Sequence, residues 1–581
     1  MQSFKPFFIW LLFLAIPACC VNAQTSSNSN SADPVLLKTL QQELDRAMTS
    51  LSKAEPAPYF ISYSVDDESG KVIVASNGAL VANMDRHERT ADISVRVGSR
   101  QLDNTHGENR FHATTTTSLP LDDKSDAIAR VLWLNTDRMY KNAAQTFLEV
   151  KTSTQVRAAE EDSSPDFTDE KAQVSLGAVS GPPKFDEKAW EAKVRKLSAI
   201  FSKYPEIENS SVMLLVDDPT QYFISSEGSR IVSSKPLIRL LATGSTRADD
   251  GMELARSETF DASSFDKLAS EDVMTAKIEK IAQDLRQLKN APVVEPFSGP
   301  ALLSGRAAAV FFHEVVGHRL EGQRQRGEDE GQTFTKMVNR RVLPPFLSVE
   351  DDPTMASIAG VELSGRYDYD DEGQKSEKVD LISNGILKQF LMSRMPVKGF
   401  LHSNGHGRAQ DGLMPVGRQG NLIVSSSKTV PDSELRAKFI EQIKKSGKPY
   451  GLYFEDIAGG FTLTLRTMPQ AFQIMPLMVW KVFPDGRPDQ LVRGVDIIGT
   501  PLNALNRIIL TGTKTEVFNG ECGAESGSVP VAAAAPAMLF SEIEVQKVAQ
   551  SHERPPVLPP PGFDKTETAE KTGASATQEA H

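Results

Sequence analysis

Residues 298–322 read SGPALLSGRAAAVFFHEVVGHRLEG, and the rest of the chain has to be organised around this stretch. The apolar run Ala307–Phe312 leads straight into His313-Glu314 and, past Val315-Val316-Gly317, to His318. Such a run reads as a buried helix. A buried helix carrying two imidazoles and a carboxylate within six residues is costly unless those groups are paired or hold an ion. In the zinc-binding pattern H-E-x-x-H the imidazoles are four apart, about 40° around a helix that turns 100° per residue. Here they are five apart, which leaves them about 140° apart on a regular helix, too divergent for one ion. The backbone must deform, and a π-type turn at Gly317, where a side chain offers no resistance, is the expectation.

A catalytic zinc takes three protein ligands and keeps one position for water. Candidates for the third ligand are Glu321, His402 and His406 in LHSNGHGR (401–408), and Cys522 in NGECGAESGSVPV (519–531). Cys522 is the choice on chemistry, because thiolate binds zinc well and a sole cysteine in an oxidising compartment has no internal disulfide partner. Glu321 fits better as an acceptor behind His318, three residues on along the same helical face.

Cys522 becomes the sole cysteine only if the N-terminus is removed, since the other two are Cys19 and Cys20. Lys5, the apolar run Phe7–Ile16, Pro17 and the small-residue site Val21-Asn22-Ala23 read as a secretory signal, cut before Gln24. The run is too short to span ~30 Å of hydrocarbon, so no transmembrane span is expected. Residues 1–23 are the expected signal peptide and the periplasm the expected compartment; a lipid anchor at Cys19, after Ile16-Pro17-Ala18, is the alternative.

Composition narrows the classes. With 40% hydrophobic and 24% charged residues the chain has ordinary globular values, which excludes wholesale disorder. A net charge of −12 provides no positive field for a phosphate backbone, so nucleic acid is not an expected partner. The 581 residues allow roughly three domains.

The pattern assigns two. Residues 24–295 read as an N-terminal α+β domain. It opens with Asp33 as N-cap, Pro34 as first helical residue, and Leu36, Leu40 and Leu44 at helical spacing. YFISYSV, KVIVAS and ADISVRV follow as antiparallel strands, with Asn77-Gly78 as a tight turn. Helices are expected over 123–152, 186–204 and 271–289, with strands VMLLVDD, QYFISS and SRIVSS and a turn at Glu227-Gly228 between the last two helices. An acidic segment at about 156–172, including EEDSSPDFTDEK, reads as an exposed loop. Residues 296–548 form a β-richer C-terminal domain that carries the His313 helix, with short strands and one long helix at 433–446. The Pro-rich tail 549–581 lacks the apolar side chains to offset its ordering entropy.

The stretch 298–322 resembles the metal-site segment of the TldD/PmbA family of metallopeptidases, whose H-E-x-x-x-H motif is unusual. The likeness continues through YDYDDEG, ISNGILKQFL, SNGHGR, RQGN, VRGVDIIGT and ECGAESGSVPV, covering about Phe297 to Val545; before that only FISSEGSRI carries it. The resemblance implies one Zn(2+) per chain on His313, His318 and Cys522, with Glu314 as the catalytic general base and acid. All four residues are present, as in the active TldD-like branch and unlike the PmbA-like branch. It also implies hydrolysis of unstructured peptides or proteins laid as an added strand beside a sheet edge, in a homodimer or a heterodimer with a paralogue. Asn404, Arg408 and Arg418 become candidates for substrate contact, and His406 joins Glu321 as a candidate behind the ligands. Two other readings stay open: a peptide-binding or chaperone-like module with a structural metal, and a thiol hydrolase using Cys522 with His406 or His402. The export signal, acidic loop and tail are departures from the family pattern.

Overall fold

The computed structural model describes residues 34–107, 113–154, 162–179, 181–326, 333–467, 471–548 and 553–561. The signal segment with Cys19, the start of the acidic loop and most of the tail lie outside these residues.

Helix α1 (Val35–Leu51) starts one residue later than its pattern predicts, so Pro34 is the N-cap rather than the first helical residue. Strands β1 (Pro58–Ser76), β2 (Ala79–Val97) and β3 (Thr114–Ser118) follow, then α2 (Ser125–Thr154), β4 (Val174–Leu176) and α3 (Glu187–Ser198). The domain ends with β5 (Asn209–Ser225), β6 (Arg230–Ser234), β7 (Leu237–Arg247), β8 (Glu253–Ala262) and α4 (Glu271–Asn290). The eight strands form one sheet in the order β3-β2-β1-β5-β6-β4, with β7 also on β5 and β8 on β7. All pairings are antiparallel except β4 with β6. Asn77 and Gly78 both have positive φ, 49° and 83°, as a tight hairpin turn requires.

YFISYSV and KVIVAS, read as separate strands, are one. β1 runs through Gly70, and a Cβ there would lie 2.4 Å from the Val216 carbonyl oxygen. The glycine permits close approach of β5 rather than marking a turn.

The second domain begins with β9 (Phe297–Leu303) and α5 (Gly305–Val315), followed by β10 (Leu347–Asp351) and the hairpin β11 (Ser357–Ile358) and β12 (Val361–Glu362). Next come β13 (Val379–Ser383), β14 (Ile386–Leu387), the pair β15 (Gly407–Arg408) and β16 (Val416–Gly417), β17 (Asn421–Ser426) and α6 (Asp432–Ser446). β18 (Gly451–Thr462), β19 (Phe472–Val482), β20 (Gln490–Val492), β21 (Val495–Gly499), α7 (Pro501–Leu505), β22 (Ile508–Ala524) and β23 (Gly527–Lys547) complete it. The expectation of short strands fails at this end, where β22 has 17 residues and β23 has 21. β23 can be that long because β17, β21, β22 and β9 each pair with part of it. The pairings close a ring through β23, β21, β19, β18 and β9. The architecture is thus α+β, an antiparallel sheet with long helices joined to a β-rich domain carrying the His313 helix.

α5 is the hub of the second core. Every residue from Ala307 to Val316 is buried, as befits a helix that is apolar all round. It starts close against β23, where a Cβ on Gly305 would lie 2.7 Å from the Ala535 carbonyl oxygen. Phe311 then packs edge-on against Phe472 and Phe540 at 5.7 and 5.3 Å between centroids.

The acidic segment is not simply an exposed loop. Asp166, Phe167 and Thr168 are buried, with the Phe167 ring sandwiched by Arg96 and Arg394 at 3.9 and 3.8 Å. Arg326, eight residues past His318, donates to the Asp166 carboxylate at 2.9 Å. The segment therefore ties the N-terminal sheet to the chain leaving the His318 turn. Among the described residues no helix is long and apolar enough to cross a membrane.

Candidate metal centre

His313 lies in the last turn of α5. Ser304 caps the other end, its hydroxyl accepting from Ala307 N at 3.0 Å. The expected π-turn does not form. The helix stops at Val315 and a 3-10 turn, Gly317–Leu320, follows, which swings His318 back beside His313.

The helix stops because side chains take its terminal carbonyls. Gln419 Nε2 donates to the His313 carbonyl at 3.4 Å, the acceptor an unbroken helix would offer to Gly317 N. Arg319 donates to the Glu314 carbonyl at 3.4 Å. Gly317 is needed for the Gln419 carboxamide, since a Cβ there would lie 1.8 Å from Gln419 Oε1.

The result brings His313, His318 and Cys522 together, with one potential ligand atom from each lying within 4.8 Å of the others. The imidazole centroids are 4.9 Å apart, and Cys522 Sγ is 3.4 Å from His318 Nε2. All three are buried, and His313 Nδ1 has no hydrogen-bond partner among the described residues. Two imidazoles and a thiolate are a donor set suited to zinc, and an unpartnered buried ring nitrogen among them is the kind of atom a cation satisfies. The residues fit such an ion.

Charge follows the same logic. Burial pushes the Cys522 thiol up, but the fields and hydrogen bonds of His318 and His313 together outweigh it and hold the thiol well below its usual range. Burial likewise opposes protonation of His318, while Cys522 and Glu321 together raise it well above the ordinary imidazole value.

Glu321 is fully buried and accepts from His318 Nδ1 at 3.0 Å on one oxygen and from Arg324 Nε at 2.8 Å on the other. Burial alone would raise its carboxyl; His318, Arg324 and Arg418 bring it down to about 2. An anion fixed there sets the tautomer and angle of His318, leaving Nε2 turned toward Cys522. Glu321→Gln is expected to weaken zinc binding about 10- to 100-fold, read by competition with a chromogenic chelator; unchanged affinity would remove this role.

Glu314 lies one turn before His318, its Oε2 3.9 Å from His318 Nε2. Gly460 of β18 makes room for it, because a Cβ there would be 3.0 Å from Glu314 Cγ. A cavity of about 330 Å³ opens onto His313, Glu314, His318 and Cys522 and is also lined by Gly459, Phe461 and Met475. A second cavity of about 610 Å³ shares Ala458 and Phe518 with the first and reaches Ser211 and Thr243 on the N-terminal sheet.

The other sequence candidates do not line the cavity at the cluster. Asn404 accepts from Met392 N at 2.7 Å and donates to Phe390 O at 2.9 Å. Arg408 donates to the Gln419 and Pro530 carbonyls and lies over Tyr367. Arg418 donates to Cys522 O at 2.6 Å, Ser526 Oγ at 2.7 Å and Gly527 O at 3.0 Å, which holds the β22–β23 turn and so the cysteine. All three fix backbone rather than face a substrate. His402 is exposed beside Glu170, and buried His406 faces Asn404 and Asp351 rather than the cluster. His406 reaches the site only through its carbonyl, which accepts from Arg418 N at 2.9 Å. Arg324 and Gln419 were missed; Arg324 stands three residues after Glu321, a helical pair spacing that could have raised it.

Residues 297–547 match the family described as the PmbA/TldA metallopeptidase C-terminal domain. A protein named metalloprotease TldD homolog from Buchnera aphidicola subsp. Acyrthosiphon pisum is 26% identical over 265 residues, 44% of this chain and 50% of that protein. A zinc metalloprotease TldD homolog from Saccharolobus solfataricus is 26% identical over 249 residues, 42% of this chain and 51% of that one. The chain thus spans about half the length of these curated relatives. The crystal structure of TldE from Thermococcus kodakarensis aligns with TM-score 0.54 at 12% identity, covering 87% of this chain and 100% of that one, which carries the fold alone. From β9 to the end of β23 the chain thus matches the PmbA/TldA metallopeptidase C-terminal domain, and its fold is shared with TldE beyond it.

Proposed function

We propose that this protein is an exported zinc metallopeptidase that hydrolyses peptide bonds in unstructured peptides or proteins. The observation that carries the reading is the meeting of His313, His318 and Cys522 with Glu314 on the wall of one cavity. When bound by the two imidazoles and the thiolate, zinc supplies a Lewis acid that acidifies water and polarises a carbonyl. Glu314 takes the proton of the attacking water and delivers it to the leaving amine. Glu321 and Arg324 hold His318, Arg418 holds Cys522, and Gln419 and Arg319 hold the end of α5, so the site is set before substrate arrives.

Past Phe454, β18 pairs with β19 alone among the described residues, which leaves its other edge unpaired there, and the face it shares with Ile474 meets Glu314 at Gly460. A peptide added to that edge pairs through its backbone, which tolerates many sequences, and the two joined cavities give it room. Export to the periplasm rests on residues 5–23, and pairing with itself or with a paralogue rests on the family; fractionation and light scattering test them.

The peptidase reading is tested with the full mature chain and a library of unstructured peptides. Cleavage in the presence of one zinc per chain, lost to a chelator and restored by zinc, is expected. Chelator-resistant cleavage that alkylation abolishes would favour a thiol hydrolase, although Cys522 meets His318 and His313 rather than His402 or His406.

A further inference from the structure

Part of the lining of the cavity is apolar and exposed. In the β18–β19 register Gly459 faces Met475 and Phe461 faces Gln473, so Phe461 and Met475 are diagonal neighbours on one face of the hairpin. The opposite face carries Phe472 and Ile474 into the core. Phe461 is 45% exposed and Met475 is 42% exposed, although both line the cavity that holds Glu314. Between them no heavy atom lies within 4 Å of where a Cβ on Gly459 would stand. Two large apolar side chains thus stand beside open space over Gly459, next to the unpaired edge of a strand whose opposite face meets Glu314.

A peptide strand on that edge alternates its side chains between the two faces. When one residue turns toward α5 and the cluster, its neighbour turns to the face of Phe461 and Met475. We infer that Phe461, Met475 and the space over Gly459 form a subsite for a large apolar side chain next to the scissile bond. The substrates are then peptides with Leu, Met or Phe at that position; this rests on the peptidase reading.

Burying such a side chain gives an expected preference of roughly 10- to 100-fold over Gly, Ser or Asp. The test uses zinc-loaded full chain and a peptide series varied at one residue, with kcat/KM measured by mass spectrometry. Binding of the same peptides to Glu314→Gln is followed in parallel by fluorescence anisotropy. The expected result is the stated preference in both, collapsing to within about threefold in a Phe461→Ser, Met475→Ser double variant and retained in Phe461→Leu, with wild-type zinc content and elution volume. Cleavage without preference overturns the subsite alone. Preferential binding without any cleavage by the wild type overturns the peptidase reading and keeps the subsite. If the double variant slows all peptides equally, or changes elution volume with selectivity intact, the two residues serve the fold or a subunit contact and the inference falls.

Discussion

Replacing Cys522 with alanine is expected to lower zinc affinity by a hundredfold or more while the protein still folds. A four-ligand zinc site binds with about 10–16 kcal/mol, so one of its ligands accounts for roughly 3 kcal/mol, about a hundredfold. The structural loss is smaller, because the thiol packs in a minor cluster with Val529 and Val531 and its removal leaves a cavity worth about 1 kcal/mol. Arg418 grips the Cys522 carbonyl, not the thiol, so the β22–β23 turn keeps its anchor. The experiment is elemental analysis after dialysis against graded chelator, with circular dichroism as the control for folding. Zinc retained one-to-one at chelator concentrations that hold in the wild type would take Cys522 out of the site. Loss of fold together with zinc would instead make the metal structural and favour the non-catalytic reading.

The meeting of His313, His318 and Cys522 was legible because their chemistry is scarce. Two histidines and a glutamate on an apolar run, with Cys522 the one cysteine beyond the first twenty residues, leave few arrangements that do not bury unpaired charge. The class of fold was legible too, because periods of two and 3.6 alternate cleanly through the first domain. What failed was everything decided by partners far along the chain. The helix end at Val315 depends on Gln419, about a hundred residues on, so spacing alone pointed to a π-turn. Arg418 and Arg408 stand in loops that look ready for a ligand, yet their acceptors are the carbonyls of Cys522 and Pro530, which no local pattern reveals. The acidic segment reads as solvent-facing because its charges are counted and its partners are not. Arg394 and Arg326, both from the second domain, bury it. Phe461 and Met475 were invisible for the opposite reason, since apolar residues in a strand are expected to be covered.

Glu314→Gln is expected to lower kcat for peptide hydrolysis by about 10²- to 10⁴-fold while zinc stays bound. The substitution keeps shape and removes only the proton acceptor. The amide still fits beside Gly460, where the side chain has 3.0 Å to the glycine's absent Cβ, and α5 keeps its caps at Ser304, Gln419 and Arg319. Metal content should not fall, because the ligand atoms brought together are those of His313, His318 and Cys522. The zinc measurement separates two ways of losing activity. Full zinc with lost hydrolysis assigns Glu314 to proton transfer. Lost zinc with lost hydrolysis makes it a fourth ligand, a role its 3.9 Å distance from His318 Nε2 brings within reach of a small shift. Equal hydrolysis by wild type and variant removes the glutamate from the chemistry, and the buried cluster would then be a structural metal site beside a peptide-binding edge.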